Sequence, residues 1–115
     1  MTFRSTHRYA RISPQKVRPL ADLVRGKFVD EALDILRYQH QRGARMLERV
    51  IKTALANAQD PEQNPGRMVD EQSLYIQEVC VDPGPMFKRV RPGGRGMSFL
   101  IKKRMSHIRV GIEEV

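Results

Sequence analysis

Apolar positions fall at helical spacing in the first half of the chain and tend to alternate in the second. Val17, Leu20, Ala21 and Val24 recur at i, i+3, i+4 and i+7, the mark of one buried helical face. Ser13 stands ahead of them as an N-cap, and Pro14 suits the first helical position, where its missing N–H costs nothing. Gly26 follows as a C-terminal cap. Pro19 interrupts the pattern, removes the bond to the Gln15 carbonyl and predicts a bend.

A second, short helix is expected over VDEALDILRYQ, with Asp30 and Glu31 at its positive end and Ala32, Ile35 and Leu36 on one face. A third runs through RGARMLERVIKTALANAQ. Its stripe is Ala44, Leu47, Val50, Ile51, Ala54, Leu55 and Ala58, and it stops before Asp60-Pro61. Residues 60–67, DPEQNPGR, are turn formers and predict a surface loop.

Strand signals flank these helices. FRSTHRYARI, residues 3–12, is β-prone and basic. LYIQEVCV, residues 74–81, is a second run, with Cys80 expected in the core. FLIKKRMSHIRVGI, residues 99–112, is a third, in which Ile108, Val110 and Ile112 alternate with His107 and Arg109. The predicted class is α+β: a small three-stranded antiparallel sheet packed on three helices, with a long extended β-hairpin. A single domain is expected over residues 1–115, with the hairpin protruding at about 83–101. The order of strands stays open.

Charge changes the picture. The chain carries a formal net charge of +8 in 115 residues, unevenly spread. Residues 1–27 have seven Lys/Arg against one acid; 28–83 have six against ten; 84–115 have eight against two. Basic ends around an acidic middle let one side face a polyanion while another faces water.

The stretch between the later strands concentrates the effect. No acid occurs from Pro83 to Ile112, and KRVRPGGRG holds four cations, three glycines and one proline. Extended at ~3.3 Å per residue, residues 83–93 reach ~30 Å beyond the body. Such an arm meets water or a partner. Lys88, Arg89, Arg91, Arg95, Lys102, Lys103 and Arg104 can neutralise phosphates and release counterions. Phe87 and Phe99 can stack on bases. A solvated, disordered Gly/Arg loop is the competing reading. Strand-like flanks and an equally basic N-terminal segment, with Arg4, His7, Arg8 and Lys27, weigh against it.

Other chemistry is thin. One cysteine excludes an internal disulfide and a Cys-based zinc site. His7, His40 and His107 lack metal-ligand spacing. Ser106-His107 has no G-x-S-x-G elbow and no nearby acid, and GGRG is not a phosphate loop. No catalytic site, cofactor or metal is expected. No apolar run reaches ~18 residues, so no membrane partner is expected. MTFRSTHRYARIS lacks an apolar h-region, so it is not read as a secretory signal. No helix shows a dimer seam, so no homo-oligomer is expected. Charge alone leaves two binding classes open: an RNA-binding protein, or a DNA-bending architectural protein with a basic β-ribbon arm.

The segments ARISPQKVRPLADLVRGK, EALDIL, ALANA and VDPGPMFKRVRP, then GRG and IKKRMSHIRV, occur in that order over about residues 4–112. Together they resemble the large-subunit ribosomal protein L-twenty-two family. The resemblance implies a cytoplasmic ribosomal protein with an α+β body near the tunnel exit. It implies a hairpin threaded through large-subunit ribosomal RNA, with its tip in the nascent-peptide exit tunnel wall. It also implies neighbouring ribosomal proteins as partners, early binding during assembly, and contact of the tip with nascent peptide.

Matching positions are Arg11, Ser13, Lys16, Arg18 and Arg25 in the N-terminal motif. In the hairpin they are Gly84, Pro85, Lys88, Arg89, Pro92, Arg95 and Gly96; in the last strand, Lys103, Arg104, Ser106, His107 and Ile108. The implied tunnel-facing tip is Arg91, Pro92, Gly93, Gly94, Arg95 and Gly96. This chain departs from many relatives there, with Gly93-Gly94 after the tip proline and a less polar Met97-Ser98-Phe99-Leu100.

Overall fold

The computed structural model describes residues 2–60 and 70–114. The chain runs β1 (Thr2–Ala10), α1 (Pro14–Val24), α2 (Val29–Arg37), α3 (Arg42–Gln59), β2 (Leu74–Pro92) and β3 (Ser98–Glu114). Short 3-10 turns cover Glu71–Ser73 and Gly94–Gly96. The loop expected at 60–67 lies, from residue 61 on, outside the described residues.

The sheet is antiparallel in the order β1-β3-β2, so the last strand is central and both others pair with it. β2 and β3 stay paired from Leu74↔Glu114 out to Pro92↔Ser98. The apolar run at 74–81 is thus the inner part of a much longer β2, whereas the run at 99–112 spans nearly all of β3. The fold is extended along one axis, 67 × 27 × 16 Å.

Helices cover the inner face of the sheet. α3 packs on β1 and β3, α1 on β2, and α2 on α3. Val17, Val24, Leu36, Leu47 and Ile51 meet Leu74, Ile76, Ile108, Val110 and Ile112, all fully or almost fully buried. Each helical stripe therefore buries on the alternating face of the strands, as the spacing predicts. Leu55 packs half-buried against the edge of the core, as Leu33 and Met46 do, and Ile35 is half-buried.

Local chemistry sets the ends. Ser13 occupies the N-cap position of α1 with extended dihedrals, but its side chain makes no capping bond; Pro14 opens the helix. α1 runs unbroken through Pro19, which lies on its exposed side. Gly26 has φ +81, the left-handed conformation that favours glycine. Its N–H donates to the Ile76 carbonyl at 3.0 Å, and the Ile76 N–H donates to Lys27 at 2.9 Å. This pair ties the end of α1 to the outer edge of β2.

Arg45 anchors the α2–α3 turn. Its guanidinium donates to the carbonyls of Leu36 at 3.2 Å and Arg37 at 3.0 Å, and also to Gln39 and the Glu48 carboxylate. The Leu36 and Arg37 carbonyls belong to the last turn of α2, where helical carbonyls run short of backbone donors, and the Gln39 carbonyl lies just past it.

Cys80 departs from its expected place. It is half-buried on the outer face of the sheet, while Val79 and Val81 point inward. A bulge between Ile76 and Glu78 shifts the alternation by one residue. Opposite Cys80 stands Arg109, pushed above its ordinary pKa first by a hydrogen bond with Cys80 and then by charge, including that of Glu78.

Candidate nucleic-acid interface

Among the described residues, no helix buries the hairpin beyond Pro83. Every residue from Pro85 to Pro92 is exposed, as are Gly94 to Leu100. Residues directly opposite across an antiparallel pair share a face. One face carries Met86↔Arg104, Lys88↔Lys102 and Val90↔Leu100. The other carries Phe87↔Lys103, Arg89↔Ile101 and Arg91↔Phe99.

Phe87, Arg89, Ile101 and Lys103 of the second face, together with Lys102, Arg104 and Met105 of β3, line a cleft of about 1310 Å³ between the hairpin root and the helices. Opposite the hairpin, the cleft is walled by Arg11, Ser13 and Lys16 before and within α1, and by Gln41 and Arg42 at the start of α3. It exceeds the ~300–1,000 Å³ of ordinary small-molecule sites. Its cations repel one another in the free protein, and an anionic chain laid between them removes that repulsion.

At the tip, Gly93 donates to the Met97 carbonyl, and Arg95 and Gly96 take positive φ of 58 and 73. Arg91 and Arg95 are exposed there. Closer to the body, Tyr9 has φ 59, and its N–H donates to His107 Nδ1 at 3.1 Å. The two rings meet edge-on with centroids 5.0 Å apart. This contact holds the β1 end at the hairpin root, where the β1–β3 register shifts.

The expected interface residues divide by what they touch. Arg11, Ser13, Lys16, Arg89, Lys102, Lys103 and Arg104 come together around the cleft. Lys88, Arg91 and Arg95 lie along the exposed arm; Arg8 and Lys27 are exposed on the body; His7 is half-buried in β1.

Others are engaged within the fold. Arg18 donates to the Val81 carbonyl at 3.3 Å. Arg25 donates to the Val79 carbonyl at 2.8 Å and to Asp22 at 2.7 Å. Arg4 lies 3.7 Å from the Glu78 carboxylate. Ser106 is likewise engaged within the fold. It is fully buried, and its hydroxyl donates to the Ile12 carbonyl at 2.6 Å, so it pins the β1–α1 link to β3.

Arg42 is a cleft residue that the sequence reading does not single out. Its guanidinium donates to the Arg11 carbonyl. A signal was present: a cation in the first turn of a helix opposes the dipole, so another interaction must hold it there.

Among the described residues, no group of three or more His, Cys, Asp or Glu is placed to hold a metal ion. Among them, no helix is long and apolar enough to cross a membrane.

Comparison with known proteins agrees with this architecture. Residues 5–113 match the family described as Ribosomal protein L22p/L17e. The large ribosomal subunit protein uL22 of Rhodopirellula baltica is 64% identical over 113 residues, covering 98% of this chain and 95% of the relative. The protein of the same name from Caldicellulosiruptor saccharolyticus is 51% identical over 110 residues, covering 96% and 86%. That of Thermus thermophilus is 46% identical over 114 residues, covering 99% and 96%. The chain therefore belongs to the ribosomal protein L22p/L17e family and is a structural protein of the ribosome, not an enzyme.

Proposed function

We propose that this chain binds large-subunit ribosomal RNA during assembly and that its hairpin tip, Arg91 to Gly96, lines the nascent-peptide exit tunnel. Ribosomal RNA and other ribosomal proteins are its partners. The observation that carries the reading is the hairpin itself. It is paired from Met86↔Arg104 to Pro92↔Ser98, acid-free from Pro83 to Ile112, and exposed beyond its root. A free protein gains nothing from holding so much charge on a bare ribbon; one surrounded by phosphates does.

The binding residues are Arg11, Lys16, Lys88, Arg89, Lys102, Lys103 and Arg104, with Arg8, Lys27 and His107 flanking them. They position phosphates without reading sequence, and specificity comes from RNA shape. Family membership favours ribosomal RNA over the DNA-bending alternative.

The test uses Gly94, where an added side chain meets nothing within 4 Å. A photo-crosslinking amino acid placed there in cells should label both ribosomal RNA and nascent chains in purified large subunits. Incorporation into subunits without nascent-chain labelling would remove the tunnel role. Sedimentation as a free protein in high salt would remove the ribosomal RNA role as well.

A further inference from the structure

We infer that the cleft between the hairpin root and the starts of α1 and α3 takes a single-stranded RNA segment, with an unstacked base on Phe87. This rests on the ribosomal RNA reading and specifies the form of RNA held at that site.

Along this face of the hairpin each rung joins one cation to one apolar side chain: Phe87 with Lys103 and Arg89 with Ile101 in the cleft, then Arg91 with Phe99 beyond it. A nucleotide has the same two halves, an anionic phosphate and an apolar base face. Phe87 is 48% exposed and Phe99 57% exposed, although each lies on a paired strand. The Arg89 guanidinium carbon lies over the Phe87 ring, 5.4 Å from its centroid, so a cation covers one face of the ring and a base would take the other.

Duplex RNA fits this face poorly. Its exterior offers phosphates, 2′-hydroxyls and a shallow groove, while its base faces are stacked inside. The duplex would satisfy Lys103 and Arg89 but leave Phe87 and Ile101 against a polar surface. A single strand with a splayed base satisfies both kinds of group, because every base has a π-face. The far wall supports the same occupant: Lys16 and Arg42 offer charge to the backbone, while Pro19 and Leu20 continue the apolar floor.

The experiment uses the full chain and a mixed-sequence RNA oligonucleotide carrying a fluorescent adenine analogue, alone or annealed to its complement, at one fixed salt concentration. The single strand should bind more tightly than the duplex, with a change in analogue fluorescence that reports altered stacking. Phe87→Leu keeps an apolar side chain and removes the ring; it should weaken single-strand binding about tenfold and leave duplex binding unchanged. Phe87→Tyr should retain the affinity. Phe87 is outside the core, so both variants should fold, which circular dichroism checks. Equal binding of both RNAs, or a Phe87→Leu loss shared equally by both or seen in neither, overturns the inference and leaves RNA binding standing. Binding to neither RNA overturns both.

Discussion

Lys88 and Lys102 stand directly opposite each other across the hairpin, both exposed and with no acid on the ribbon to separate them. Like charges in that position destabilise a sheet by about 0.2–1 kcal/mol. The ribbon therefore carries an unfavourable pair that a phosphate would convert into a favourable one. Lys102→Thr should slow amide hydrogen exchange in the free hairpin, since it removes repulsion and adds a β-branched residue. The same change should weaken RNA binding and make the salt slope shallower by ~0.7. Faster exchange in the variant would show that the pair is not a burden on the free protein.

The full interface should show a steep salt dependence. If about six phosphates are neutralised, log affinity against log salt should fall with a slope near −4, at ~0.7 per phosphate on single-stranded RNA. Fluorescence anisotropy across a salt series measures this. A slope shallower than about −1 would sink the electrostatic account.

Ser106 makes a different prediction from the neighbouring cations. Its buried hydroxyl donates to the Ile12 carbonyl at 2.6 Å. Ser106→Ala leaves that carbonyl without this donor, at a cost of about 1–3 kcal/mol. The melting temperature should drop by several degrees, as about 1 kcal/mol shifts a domain of this size by ~4–8 °C. RNA affinity of the folded variant should not change. A lost affinity at unchanged melting temperature would return Ser106 to the interface.

Much of the fold was legible because burial repeats. Val17 to Val24 and Ala44 to Ala58 marked their helices by spacing, and Ile108, Val110 and Ile112 marked their strand by alternation. Strand order was not, because one amphipathic strand packs as well at the centre as at the edge. Cys80 was misplaced because a bulge is one residue of backbone with no side-chain signature, yet it moves every later side chain to the other face. The candidate interface is readable in the sequence as charge but not as geometry. Arg18, Arg25 and Lys16 look alike along the chain, yet the first two reach the β2 carbonyls of Val81 and Val79 while Lys16 lines the cleft. A carbonyl acceptor is invisible in sequence, so a cation spent inside the fold resembles one facing a partner.

Tyr75 and Glu113 give the pH-dependent element. The phenol donates to the Glu113 carboxylate at 3.1 Å across β2 and β3. That hydrogen bond first, then burial and the carboxylate charge, raise the Tyr75 pKa above its ordinary 10.0. A raised folded pKa means the clasp contributes fully below the unfolded value and is lost as pH climbs through the folded one. Its contribution should be unchanged at neutral pH and disappear under alkaline conditions. Ultraviolet titration should show one tyrosine ionising late, and Glu113→Ala should bring it back toward the others. Three indistinguishable titrations in the unaltered protein would rule out the clasp.

Gly93 and Gly94 are adjacent, both lack a positive φ, and should nonetheless respond oppositely to a methyl group. A Cβ at Gly93 would fall 2.2 Å from Phe99 Cε2 and 2.8 Å from Cδ2, whereas one at Gly94 meets nothing within 4 Å. The Phe99 ring therefore lies over Gly93, and only the absence of a side chain lets it do so. Gly93→Ala must push the ring away, while Gly94→Ala leaves it in place. Neither residue touches the core, so both variants should melt within about 0.5 kcal/mol of the parent. Ring resonances of Phe99 should move strongly in the first variant and stay put in the second. Since both substitutions carry a similar backbone cost, the difference between them isolates the ring contact. Equal shifts in both would mean that the tip turn, rather than the space above Gly93, sets the position of Phe99.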